Sequence, residues 1–150
     1  MTLPLDLRFT QQIQMYLKHL ERGDVDAICA LFTPDAQICS PFLGWMDVRD
    51  FFEKVVGASS QSTITPIDIC ISAMVAPRAT AYFIYDWVLK DGTAVRFHCV
   101  DIFEFNAGHL IERMNIVYDT HPVRSVVGDK YSSAALPVRE PQNVSQSSAP

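Results

Sequence analysis

Four consecutive stretches of alternating residues, near 63–75, 78–90, 93–106 and 109–119, constrain this chain more than any other feature of it. Period-two alternation is the mark of strands with one face buried. Asp91-Gly92 fits a two-residue hairpin, and Asn106-Ala107-Gly108 fits a three-residue hairpin loop with its glycine in the left-handed position. The second half is therefore expected to form an antiparallel meander.

The first half follows a helical period instead. Phe9, Ile13, Tyr16, Leu17 and Leu20 recur at spacings of three and four, giving a helix from about Asp6 to Leu20 with one apolar stripe. Gly23 stops it. Asp24 then caps a second, shorter helix that carries Val25, Ile28, Cys29 and Phe32 and closes at Pro34. A short strand follows near 36–39. Asp47 caps a third helix with Phe51, Phe52, Val55 and Val56 inward, ending at Gly57. The small polar run Gly57 to Ser62 reads as a linker. Three helices followed by an antiparallel sheet make an α+β domain, and a strongly curved sheet closed on one side by helices would enclose a cavity.

At 150 residues and 49% hydrophobic, the chain suits one domain with a substantial core, assigned to 1–125. Residues 126–150, rich in Ser, Gln and Pro beyond Ser132, read as an extended, disordered tail. A net charge of −5 with scattered Lys and Arg argues against a nucleic-acid binder. No segment is long and apolar enough to span a bilayer, and the start lacks the regions of a secretory signal. Cys29, Cys39, Cys70 and Cys99 stand far apart and suit core positions, so a cytoplasmic protein with reduced thiols is expected. No His, Asp or Glu set has metal-ligand spacing, and no Gly-rich phosphate loop or G-x-S-x-G elbow occurs, so neither metal nor cofactor is expected.

Asp101 is the residue that speaks to function. One face of its strand reads Val95, Phe97, Cys99, Asp101, Phe103, Phe105, a single carboxylate among apolar side chains. A bare charge there is costly, so the group is paired, held neutral, or working. With Asp91-Gly92 as the turn, Tyr82 falls opposite Asp101, Ile84 opposite Cys99 and Asp86 opposite Phe97. With Asn106-Ala107-Gly108 as the next loop, Ile111 falls opposite Phe103, Arg113 opposite Asp101, Asn115 opposite Cys99 and Val117 opposite Phe97. One face then gathers Tyr82, Asp86, Asp101, Arg113 and Asn115 among aliphatic and aromatic walls. The other, with Tyr85, Trp87, Arg96, His98, Glu112 and Met114, could serve as a homodimer interface.

The run from Met15 to Ala36, with its helix, Gly23-Asp24, helix, Leu31-Phe32 and Asp35-Ala36, resembles the opening of the nuclear transport factor 2-like superfamily. More narrowly, it is similar to the ketosteroid isomerase, polyketide cyclase and limonene epoxide hydrolase branches. Val100 to Ile111 is similar to the last hairpin of the same group. The resemblance covers roughly 8–119 and implies a cone-shaped α+β barrel, with three N-terminal helices on a curved antiparallel sheet around a pocket. It places Tyr16 where the isomerases keep a phenol donor and Asp101 where they keep a protonated Asp donor, a carboxylic acid held neutral so that it can donate a hydrogen bond. Ser40 stands where their proton-shuttling Asp falls. Asp86 falls near one catalytic Asp of the epoxide hydrolases, while Ile84 replaces their bridging Arg and Asn115 their second Asp.

Two functions follow. In the first, a cofactor-independent enzyme acts on a small apolar molecule bearing a carbonyl or an epoxide. Tyr16 and Asp101 polarise an oxygen, Asp86 or Asp101 moves a proton, and Arg113 and Asn115 orient. Asp101 would be a neutral donor beside Tyr16 or a carboxylate held by Arg113. In the second, the same cavity, lined also by Ser40, Tyr82, Ile84, Phe97, Cys99, Phe103 and Val117, holds a small hydrophobic ligand without chemistry.

Overall fold

The computed structural model describes residues 5–127; of the expected tail, 128–150 lie outside the described residues. The elements in chain order are α1 (Leu5–Arg22), α2 (Val25–Cys29), β1 (Phe32–Ser40), β2 (Gly44–Asp47), α3 (Val48–Ala58), β3 (Ser59–Ile71), β4 (Arg78–Leu89), β5 (Ala94–Phe105), β6 (Ile111–Tyr118) and α4 (His121–Val127). Six strands form one curved sheet in the order β2-β1-β6-β5-β4-β3, antiparallel throughout except where β1 runs parallel to β6. The sheet does not close into a barrel, because β2 and β3 remain as edges. The helices pack against it, and the α+β class stands. Among the described residues, no helix is long and apolar enough to cross a membrane.

The helical period places Phe9, Ile13, Tyr16, Leu17 and Leu20 of α1 in the core, all nearly inaccessible. Gly23 ends α1 with φ +66, and Asp24 caps α2 by accepting from the Ala27 N–H at 3.0 Å. α2 stops at Cys29, earlier than the sequence suggests, and Pro34 lies inside β1. The pairing of β1 with β6 shifts between Phe32 and Gln37, the irregularity that accommodates a residue with no N–H to give. Asp47 precedes α3 as expected, without a capping hydrogen bond from its side chain.

The expected linker is absent: α3 runs to Ala58 and β3 begins at Ser59. The serines there are bound rather than loose. Ser59 Oγ donates to the Val55 carbonyl and accepts the Trp87 indole N–H, and Ser62 Oγ pairs with the Tyr85 hydroxyl at 3.0 Å.

Both hairpin registers differ from the sequence expectation, and each difference follows from its turn. Leu89 pairs with Thr93, so the β4–β5 loop holds three residues, Lys90-Asp91-Gly92, with Gly92 left-handed at φ +85. The register moves by one: Phe83 faces Cys99, Tyr85 faces Phe97 and Ala81 faces Asp101. In the next hairpin Asn106 pairs with Leu110, and His109, not Gly108, takes the left-handed φ of +66. A bulge then separates Glu104 from Phe105, so that Asp101 lies opposite Ile116, Phe103 opposite Met114 and Cys99 opposite Tyr118. Because side chains alternate, these odd shifts reverse the face of β4 and, beyond Ile111, that of β6, while β5 keeps its own.

Candidate active site

On β5 the inward face is the expected one, and Asp101 sits deep within it at 1% exposure. Tyr16, carried inward by the α1 stripe, donates its hydroxyl to Asp101 Oδ2 at 3.1 Å. The Cys99 thiol, two residues before on the same face, donates to Asp101 Oδ1 at 3.3 Å. Ring edges of Phe52 and Phe103 hold the Tyr16 ring at centroid distances of 6.0 and 5.1 Å.

Burial pushes the Asp101 acid up from 3.8 to about 7, and the hydrogen bonds from Cys99 and Tyr16 pull against that rise. Burial, reinforced by the Asp101 charge, drives the Tyr16 phenol well above its ordinary value and the Cys99 thiol upward as well. Cys99 is therefore a thiol and a donor, and no thiolate nucleophile. Asp101 is the group of this trio poised to exchange a proton near neutrality.

Beside the trio lies a cavity of about 70 Å³, walled by Leu20, Phe51, Phe52 and Val55 from the helices and by Phe83, Tyr85 and Trp87 from β4. Phe97, Cys99 and Asp101 of β5, Ile116 and Tyr118 of β6, and Ser40, Phe42 and Leu43 around the β1–β2 turn complete it. No Lys, Arg or His is in that lining. Ser40 accepts the Leu43 N–H at 3.3 Å and keeps its own proton to donate. Burial raises the Tyr85 hydroxyl to about 12 and raises Tyr118 as well, with the nearby Asp101 charge adding to the rise.

The structure thus brings together Tyr16, Ser40, Phe97, Cys99 and Asp101 of the residues expected at the site. Phe103 is fully buried against Tyr16, behind the cavity wall rather than on it. The other six are corrected by the registers: Tyr82, Ile84, Asp86, Arg113, Asn115 and Val117 belong to the outer face of the sheet. There Tyr82 meets His98 Nδ1 at 2.7 Å and Asp86 lies 3.7 Å from Arg96. Arg113 lies 3.9 Å from Glu104 and 5.2 Å from the centre of the Trp45 ring. With Arg113 on that side, Asp101 has no guanidinium to hold it ionised, and a hydroxyl and a thiol are its partners. The hydrogen-bonding side chains missed are Tyr85, Trp87 and Tyr118, and the apolar walls such as Phe83 and Ile116 are missed with them. An uncharged alternating face of Phe83, Tyr85 and Trp87 was the available signal for the first two. Among the described residues, no group of three or more His, Cys, Asp or Glu could hold a metal ion.

A curved, unclosed six-stranded sheet with helices packed against it is the α+β fold of the nuclear transport factor 2-like superfamily. The SnoaL-like domain model matches residues 13–114, and the chain belongs to that family. Among solved structures it is similar to SalBIII, an epoxide hydrolase/cyclase-like enzyme of pyran ring formation in the polyether salinomycin, at 20% identity and a TM-score of 0.68, covering 78% of this chain and 95% of that one. It is similar to AclR from Streptomyces galilaeus, for which a hydroxylase role has been suggested, at 15% identity and a TM-score of 0.67, covering 84% and 98%. A protein of ketosteroid isomerase-like fold from Catenulispora acidiphila, in complex with trimethylamine, matches at 12% identity and a TM-score of 0.65, covering 76% and 89%. These likenesses establish the fold. No curated protein matches the chain at a significant level.

Proposed function

We propose that this protein is a cofactor-independent acid–base enzyme acting on a small, uncharged molecule with a carbonyl or epoxide oxygen. The observation that carries this reading is Asp101: a carboxyl held at about 7, fixed by Tyr16 and Cys99, at the edge of an aromatic cavity without cations. In its neutral form it can give a proton to a substrate oxygen, and in its ionised form it can remove one from carbon or from a hydroxyl. A positioned acid or base of this kind contributes on the order of 10²–10⁴-fold in rate.

The cavity supplies one such group and no second. Ser40 makes no hydrogen bond to Asp101, and the phenols are pushed too high to act as bases near neutrality. That favours reactions in which the substrate brings its own nucleophile or returns the same proton. Intramolecular attack of a hydroxyl on an epoxide is one: the C–O bond opens, its oxygen takes the proton of Asp101, and the attacking hydroxyl gives its proton to the carboxylate left behind. The part of SalBIII in pyran ring formation is consistent with that choice. Enolisation of a ketone is another.

The lack of a second proton carrier also supports the alternative, a protein that binds a small hydrophobic ligand without converting it. Exchange of an acidic C–H of cyclohexanone in deuterated water separates the two. The enzyme accelerates exchange, and Asp101→Asn lowers that acceleration by about 10²-fold or more. Binding without exchange supports the carrier, and equal exchange by both proteins removes Asp101 from the mechanism.

A further inference from the structure

Three phenols line the cavity, and they are not equivalent. The Tyr16 hydroxyl is spent on Asp101 at 3.1 Å. The Tyr85 hydroxyl is turned to Ser62 of β3 at 3.0 Å. The Tyr118 hydroxyl has no hydrogen-bond partner among the described residues. Yet the Tyr118 ring is held: Phe97 lies 4.6 Å away, centroid to centroid and tilted by 35°, and Phe42 lies 6.3 Å away. Tyr118 is also the register partner of Cys99, so its side chain leaves the sheet beside the Cys99–Asp101 pair. Tyr118 is half-buried and its hydroxyl is not sealed from solvent, so a ligand acceptor in the cavity would replace water on a ring that is already held in place.

The remaining polar groups narrow what that acceptor can be. Both oxygens of Asp101 already receive a donor, from Tyr16 and from Cys99. No cationic side chain lines the cavity, so an anionic ligand would bury its charge unpaired. The volume of about 70 Å³ corresponds to roughly five water-sized volumes, the scale of a single ring and not of a fused polycycle.

We propose that Tyr118 is the ligand-gripping donor of this site, and that the ligand is an uncharged, single-ring molecule offering one oxygen as acceptor. This deepens the proposed function and rests on it, since the gripped oxygen is the one on which Asp101 would act. Tyr16 then positions Asp101, and the substrate's oxygen belongs to Tyr118.

Acetophenone and toluene are the probes, one with the oxygen and one without. Quenching of Trp87, which lines the cavity, reads affinity, and an infrared difference spectrum of carbonyl-labelled acetophenone reads the hydrogen bond. In the wild-type protein the carbonyl stretch falls to lower frequency on binding. Tyr118→Phe, which keeps the ring, abolishes that fall and weakens acetophenone about 5–10-fold, while toluene binds both proteins equally. An unchanged carbonyl shift in Tyr118→Phe overturns the assignment of Tyr118 and leaves the role of Asp101 standing. Equal weakening of toluene also overturns it, because the ring would then be packing and not donating. A wild-type protein that binds neither probe overturns the inference and the cavity reading together.

Discussion

Replacing Asp101 by Asn should change how stability depends on pH more than it changes stability at any one pH. Folding lifts this carboxyl from 3.8 to about 7, roughly three pH units at 1.36 kcal/mol each, or about 4 kcal/mol. The sign follows from proton counting. Between pH 4 and 7 the folded protein keeps the Asp101 proton and the unfolded chain has lost it. The folded state binds the extra proton, so the contribution is fully present below about pH 4, declines as pH rises, and is gone above about pH 7. Asn cannot titrate, and its amide still offers Tyr16 an acceptor. Urea unfolding of both proteins at half-unit steps from pH 4.5 to 8, under reducing conditions, gives the difference in unfolding free energy at each pH. The reasoning expects that difference to shift by about 3 kcal/mol in favour of Asn over the range, nearly all of it below pH 7.5. Two parallel curves would show that Asp101 is ionised throughout and that burial does not govern it.

The remaining expectations are simpler to read. Asp86→Asn lies on the outer face beside Arg96, so it should leave acetophenone binding within about 2-fold of wild type, measured by Trp87 quenching. Phe52→Ala empties space against Tyr16, Phe32 and Phe51 and should cost about 3–5 kcal/mol in urea unfolding. Gly92→Ala forces a Cβ onto a left-handed backbone with open space around it, so the loss should be about 1 kcal/mol and purely conformational. Unchanged stability there would mean that the loop is not the three-residue turn described.

Periodicity carried the reading of α1 and of β5, because both signals are local. A stripe at spacings of three and four has one way to face a core, and Asp101 alternates with Phe97, Cys99 and Phe103 whatever its neighbours do. Register is not local. It depends on the turns, and one added loop residue at Lys90–Gly92 is enough to send Asp86 out and Tyr85 and Trp87 in. At the second hairpin, neither the left-handed His109 nor the bulge at Glu104/Phe105 has a strong composition cue, and together they moved Arg113 away from Asp101. The buried face of β4 could have corrected the first error, since Phe83, Tyr85 and Trp87 form an uncharged row while Asp86 breaks the other. Serines misled for a different reason: Ser59 and Ser62 look like linker residues until Trp87 and Tyr85 supply their partners.

The parallel pairing of β1 with β6 governs the order in which this chain can be built. Phe32–Ser40 leaves the ribosome long before Ile111–Tyr118, and until that later segment emerges β1 lacks the neighbour on one of its sides. Tyr16 waits in the same way for Asp101. Nascent chains truncated before residue 111 therefore already carry β3 and β4, against which α1 packs, and Asp101, but leave one side of β1 unpaired, so the seam between β1 and β6 is the last part of the sheet to form.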